Sequence, residues 1–252
     1  MLRFRTGIRR ALLLRPAVVE QDLLRRASAE AVGTSFLVAA VVGSGIAAQR
    51  LSPGNTGLEL LENAIATGAV LAALILALGS ISGAHFNPIV TLADRVLGGM
   101  SSREAGVYVT AQVLGACVGA MVANLMFDLP AITLSTQNRS SSGVWLGELV
   151  AAFGLLLVIL GVVRAGKPQT AAVAVAAYIT AAYWFTSSTS FANPAVTVAR
   201  TLTDTFAGIE PADVPAFIVL QIIGALAAVG LFRYWRPNVN AADLVVPHER
   251  TS

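Results

Sequence analysis

Two asparagine–proline pairs carry the chemistry of this sequence. Asn87-Pro88 closes the run Gly79-Ser80-Ile81-Ser82-Gly83-Ala84-His85-Phe86, and Asn193-Pro194 closes Ser187-Ser188-Thr189-Ser190-Phe191-Ala192. An Asn side chain can cap a helix, and Pro fits its first position, where no backbone donor is lost. The same amide has donor hydrogens to offer the oxygen of a passing solute. Two carboxylates, Glu30 and Glu148, and two carboxamides, Gln112 and Gln221, fall in or beside apolar stretches. An unpaired charge is costly there. No nucleophile–base set is visible. His85 and His248 are the only histidines and Cys117 the only cysteine, too few for a metal site. Neither an enzyme nor a bound cofactor is expected.

The elements that must position these residues belong in a bilayer. Of the 252 residues, 56% are hydrophobic and 12% charged, against about 25% charged in soluble chains. Too few polar residues remain to cover a soluble domain. Six apolar segments stand at about 30–48, 64–79, 106–126, 145–163, 171–185 and 214–235. A helical span needs about 20 such residues. The second and fifth are short, and each leads into an Asn-Pro stretch, after which an apolar, helix-compatible pattern resumes. The basic residues are scattered without interleaved aromatics, so nucleic acid is not an expected partner.

Orientation follows the arginines. With the N-terminus inside, the inner side holds seven tail arginines, Arg95, Arg103, Arg164, Lys167, Arg233, Arg236 and Arg250, against Arg50, Arg139 and Arg200 outside. The positive-inside rule then makes both termini cytoplasmic. Residues 1–28 read as an Arg-rich cytoplasmic tail, either unstructured or lying on anionic headgroups. Residues 237–252 read as a second tail. The Ala- and Arg-rich composition suggests a GC-rich bacterial genome, hence an inner-membrane location.

The domain between the tails, 29–236, contains a repeat. The order Glu, Asn-Pro, Gln-x-x-Gly-Ala occurs twice: Glu30, Asn87-Pro88-Ile89-Val90-Thr91 and Gln112-Val113-Leu114-Gly115-Ala116, then Glu148, Asn193-Pro194-Ala195-Val196-Thr197 and Gln221-Ile222-Ile223-Gly224-Ala225. Each element alone has a plainer reading: turn, headgroup contact, close helix packing at Gly115, Gly119 and Gly224. Three ordered matches do not. The repeats span about 29–126 and 144–236. Each holds three spans, an odd number, so the second enters the membrane inverted.

Irregular backbone at membrane depth is tolerated only inside protein or beside a water-filled cavity. Each Asn-Pro segment therefore reads as a re-entrant loop followed by a half-helix, entering from opposite faces and meeting near the midplane. Two helix N-termini, each equivalent to about +0.5 charge, then face one point. Cations are repelled there, while the two amides donate to neutral oxygens. A coupled transporter would need titratable or ion-binding groups at that depth, and the motifs place neutral amides there instead. A non-conducting adhesion protein with an occluded pore is a further alternative.

The chain resembles the aquaporin, or major intrinsic protein, family over about residues 28–236, through Ser82-Gly83-Ala84-His85-Phe86-Asn87-Pro88, Ala111-Gln112-Val113-Leu114-Gly115-Ala116 and Asn193-Pro194-Ala195. The resemblance implies an all-α membrane protein of six transmembrane helices plus two re-entrant half-helices. It implies a homotetramer with one pore per subunit, passive transport and no cofactor. Asn87 and Asn193 would form the pore centre, and Pro88, Ile89, Pro194 and Ala195 the half-helix starts. Glu30 and Glu148 would bind loop backbone donors, and Gln112 and Gln221 would bond between helices. His85 either lines the inner vestibule or braces its loop. Cys117 reads as a packing residue.

Two departures stand out. Ile89 replaces the usual Ala of the first motif. Val196 replaces the Arg that follows the second motif in most members. Counting by family spacing gives a selectivity filter of Thr67, Ala181, Ser190 and Val196. Those side chains are small and uncharged and imply a wide constriction, unless Phe191, Tyr183, Trp184 or Arg139 fills it. Arg200, seven residues past Asn193, is expected nearer the outer mouth. The Val variant is similar to a bacterial subgroup associated with arsenic resistance, which implies passage of arsenite- and antimonite-type neutral hydroxides and methylated arsenicals. Glycerol, urea and water are further expected solutes. A water- or glycerol-selective channel with a compensated filter is the alternative.

Overall fold

The computed structural model describes residues 3–165 and 170–236. Eight helices follow in order: α1 (Arg3–Leu51), α2 (Thr56–Ser82), α3 (Pro88–Val96), α4 (Ser102–Met126), α5 (Ser142–Arg164), α6 (Ala171–Phe185), α7 (Pro194–Ala199) and α8 (Val214–Trp235). Five helical stretches are long and apolar enough to cross a membrane: Gln21–Leu51, Thr56–Ser82, Ser102–Met126, Ser142–Arg164 and Pro211–Trp235. The sixth, α6, is apolar throughout but has only 15 residues. The expected tail at 237–252, and Lys167, lie outside the described residues.

α1 is already packed before residue 29. Leu23 is buried beside Met100 and Tyr108. Arg26 pairs with Asp22 and, at 2.8 Å, with Glu104 of α4.

The packing is written twice. α1 contacts α4 and α2; α5 contacts α8 and α6. α3 contacts α4, α8 and α5; α7 contacts α8, α4 and α1. Exchanging α1–α4 for α5–α8 maps each of these contacts onto another. The remaining pairs, α2 with α6 and α3 with α7, map onto themselves and lie on the pseudo-two-fold axis.

Small residues set the close approaches. A Cβ on Gly115 would meet the backbone of Ala31, and one on Gly224 would meet the backbone of Leu149. These are the α1–α4 and α5–α8 contacts, so one glycine serves each repeat. Cys117 is half-buried and packs against the main core.

Polarity is inverted relative to a soluble protein. Phe36, Leu76, Leu114 and Val173 are each more than 60% exposed, whereas Glu30, Gln112, Glu148 and Gln221 are fully buried. Large apolar side chains face outward, where lipid would cover them, and the polar residues turn inward.

Candidate functional site

α2 stops because Gly83 takes the left-handed conformation, φ 87°, and its N–H bonds back to Gly79. The loop continues with Ala84 and Phe86 also at positive φ. After α6 the same pattern returns at Thr189, Ser190 and Ala192. Counted back from each Asn, Ala84 matches Ser190 and Phe86 matches Ala192. Non-glycine residues in this region cost of order 1–3 kcal/mol each and persist only where surroundings over-determine them.

The two buried glutamates supply that constraint. Glu30 accepts from the backbone N–H of His85 (3.0 Å) and Phe86 (2.7 Å) and from Ser82 Oγ (2.6 Å). Glu148 accepts from the N–H of Phe191 and Ala192, both at 2.9 Å. Gln112 Nε2 donates to Glu30 and to Thr91 Oγ1, at 2.8 and 3.0 Å. Gln221 Nε2 donates to Glu148 and, at 2.9 Å, to Thr197 Oγ1. Each glutamate thus ties a loop to its half-helix through a glutamine on the helix packed against its own, α4 for α1 and α8 for α5.

The loops deliver Asn87 and Asn193 to a shared point. Asn87 Oδ1 accepts from Ile89 N–H, and Asn193 Oδ1 accepts from the N–H of Ala195 and Val196. Pro88 and Pro194 occupy the first helical positions and are buried, as are Ile89 and Ala195. The caps fix each amide with its nitrogen toward the other half. Asn87 Nδ2 donates to the Ala192 carbonyl and Asn193 Nδ2 to the Phe86 carbonyl, both at 2.8 Å. An amide nitrogen carries two hydrogens. One on each is committed across the axis; both residues line a central cavity, so the second is available to its contents.

That cavity runs between the halves with two unlike walls. Leu37, Leu71, Ile75, Val175 and Ile179 give an apolar side. The loop residues Gly83–Phe86 and Ser190–Ala192, with the two asparagines, give a polar side. His85 lines it, and its Nδ1 lies 3.0 Å from Thr91 Oγ1. The residue therefore both faces the cavity and braces its loop.

At the other end, three of the four filter positions counted from the sequence come together. Thr67, Ser190 and Val196 line the cavity. Ala181 does not: it is exposed on the outside of α6. The cavity face of α6 is the i,i+4 row Ala171, Val175, Ile179, Tyr183. Two residues off that row, Ala181 points away, since each helical residue turns about 100°. Tyr183 lines the cavity beside Thr67, its hydroxyl 3.1 Å from Thr67 Oγ1. α6 is apolar on every face, so no spacing marks this row in the sequence; Tyr183 was legible there only as one of the large residues able to fill the constriction.

Arg200 also lines the cavity, although counting along the half-helix put it near the mouth. α7 ends at Ala199, and Arg200 opens a 3-10 turn through Leu202. Its side chain runs back over Phe191, with Cζ 3.4 Å from the ring centroid, and its Nε donates to the Ala207 carbonyl. Arg139, from the loop before α5, lies 5.0 Å from the same ring and donates to the carbonyls of Gly208 and Phe206. Burial holds the Arg139 guanidinium below its usual range. Phe191 meets Phe217 edge-on at 5.1 Å. Among the described residues, no group of His, Cys, Asp and Glu could hold a metal ion.

An inward-facing polar axis in a lipid-facing helical shell defines a membrane channel. Comparison with known proteins narrows the class. A family model described as Major intrinsic protein matches residues 17–183 and 164–252, and the chain belongs to that family, whose members are channels and not enzymes. It is 51% identical over 215 residues to the aquaglyceroporin AqpS of Rhizobium meliloti, covering 85% of this chain and 91% of the relative. It is 31% identical to the probable aquaporin AqpM of Archaeoglobus fulgidus, covering 84% and 97%. The aquaglyceroporin structure from Plasmodium falciparum shares the fold, with a TM-score of 0.66 at 24% identity over 84% of this chain and 95% of that one.

Proposed function

We propose that this channel conducts small uncharged hydrogen-bonding solutes of glycerol size, including arsenite- and antimonite-type hydroxides, with methylated arsenicals, urea and water beside them. The observation that carries the reading is the two-sided cavity. Asn87, Asn193 and the loop residues can serve a row of hydroxyls, while Leu71, Ile75, Val175 and Ile179 accept a carbon backbone or a metalloid centre. Val196 and Thr67 leave the narrow end without an arginine from the half-helix start. The relative at 51% identity is named an aquaglyceroporin, which supports the same class.

A second reading, a water- or glycerol-selective pore, is favoured by Tyr183 and Arg200. Both are bulkier than the residues counted for that end. The distinguishing experiment is stopped-flow flux into proteoliposomes with water, glycerol and arsenous acid, with Val196→Arg alongside. The first reading expects all three to pass and Val196→Arg to cut the larger two more than water. Passage of water alone would remove the metalloid assignment.

We place the protein in a bacterial inner membrane with both termini cytoplasmic, following the arginine bias, which turns the Arg139 and Arg200 end outward. A homotetramer is the proposed assembly, with no cofactor and no nucleic acid partner.

A further inference from the structure

The end of the cavity that holds Thr67, Tyr183, Ser190 and Val196 is neutral except for one side chain, Arg200. Two contacts define its guanidinium. Its face rests on Phe191, its Nε is held by the Ala207 carbonyl, and no hydrogen bond to protein engages its terminal nitrogens among the described residues. Arg200 lines the cavity and is 2% exposed overall, so those nitrogens have only the cavity to serve. Arg139 brings a second guanidinium to the same Phe191 ring. The described ion pairs include neither arginine.

A charge fixed beside a narrow, low-dielectric passage acts more strongly than one in water. Two guanidiniums with no carboxylate at ion-pair distance, Glu148 acting on both and Asp213 on Arg139 from farther away, raise the potential for any cation approaching this end. The terminal nitrogens of Arg200 offer hydrogen-bond donors to a neutral oxygen solute.

We propose that Arg200 is the charge-selecting residue of this channel. It supplies, from the turn after the half-helix and braced on Phe191, the positive charge that Val196 does not, and its terminal nitrogens bind the oxygens of entering solutes. Arg139 acts through Phe191 and through its own charge and is a positioning residue. The inference rests on the channel reading above and names the residue that gives that channel its selectivity.

The test is a flux ratio in proteoliposomes of the full chain: Na⁺ leak, read with an entrapped fluorescent indicator, over glycerol flux, read by stopped-flow scattering. The wild type is expected to show Na⁺ leak no greater than protein-free vesicles. In Arg200→Gln the ratio rises about tenfold, in Arg139→Gln less, and in Arg200→Lys, which keeps the charge, it stays near wild type. Where Arg200→Gln does not fold, Phe191→Leu gives the same reading. Loss of the ring face frees the guanidinium and raises the ratio. A wild type that leaks Na⁺, or a flat ratio in a folded Arg200→Gln or Phe191→Leu, overturns the proposal. A wild type closed to glycerol and Na⁺ alike, with Na⁺ admitted by Arg200→Gln, would sink the solute reading and keep the Arg200 assignment.

Discussion

Asn87 and Asn193 hold each other's loops. Each amide nitrogen donates, at 2.8 Å, to the carbonyl of the residue just before the other asparagine, Ala192 in one case and Phe86 in the other. The pair is a clasp, and in the function proposed above it also meets the solute. Replacing Asn193 by Ala removes the bond to Phe86 and the cap on Ala195 and Val196. The expected cost is about 2–4 kcal/mol, a cap plus a buried carbonyl left without its donor. Thermal unfolding of purified protein in detergent would read it, and a change below about 0.5 kcal/mol would contradict the clasp.

The glutamates give a symmetric prediction. Glu30→Gln and Glu148→Gln keep the side-chain volume but leave loop N–H groups facing an amide in place of a carboxylate. Each buried donor left without a partner costs about 1–3 kcal/mol. Both variants should lose thermal stability by similar amounts, because the contacts are equivalent in the two repeats. A large loss in one and none in the other would mean that the repeats are not energetically alike.

Tyr183 and Ala181 separate the structure from the count made along the sequence. Tyr183→Ala should raise glycerol flux relative to water about threefold or more, since it removes an aromatic ring from the cavity wall. Ala181→His, on the outside of α6, should leave that ratio unchanged. The opposite pattern in stopped-flow measurements would restore Ala181 to the filter.

Glycine substitutions test the close helix contacts. Gly224→Ala drives a methyl group toward the Leu149 carbonyl and should destabilise by about 1–3 kcal/mol, the usual cost of overpacking. Gly230→Ala on the same helix meets open space. It should be neutral or stabilising by about 0.5–1 kcal/mol, because alanine loses less backbone entropy in a helix. Melting curves of the two variants measured together would decide.

The sequence was most legible where chemistry and period coincide. The Asn-Pro pairs, the glutamates and the Gln-x-x-Gly-Ala motifs are polar or conformationally special residues in apolar surroundings, and their order carried the duplicated architecture. Long apolar runs carried the spans. The narrow end was legible only in part. Thr67, Ser190 and Val196 followed from spacing because they lie close to a fixed motif or on a regular helix. Ala181 does not line the cavity, and the two loops differ in length: residues 186–193 separate α6 from its half-helix, against 83–87 between α2 and its own. For Arg200 the sequence showed the backbone position but not the reach of the side chain into the cavity. Distance along a helix axis fixes a Cα, but an arginine is long enough to run back toward the loop, and the aromatic ring that receives it comes from a segment nine residues earlier.

One length has a consequence for the lipid. α6 has 15 residues, against 27 in its counterpart α2. At about 1.5 Å per residue it covers some 22 Å, less than the roughly 30 Å hydrocarbon core of a bilayer. Its outward face, with Val173, Trp184 and Phe185 exposed, is therefore shorter than the membrane it meets. Acyl chains beside α6 must shorten or tilt to match it, so this flank should draw thinner bilayer toward itself and make the protein sensitive to lipid chain length on one side only.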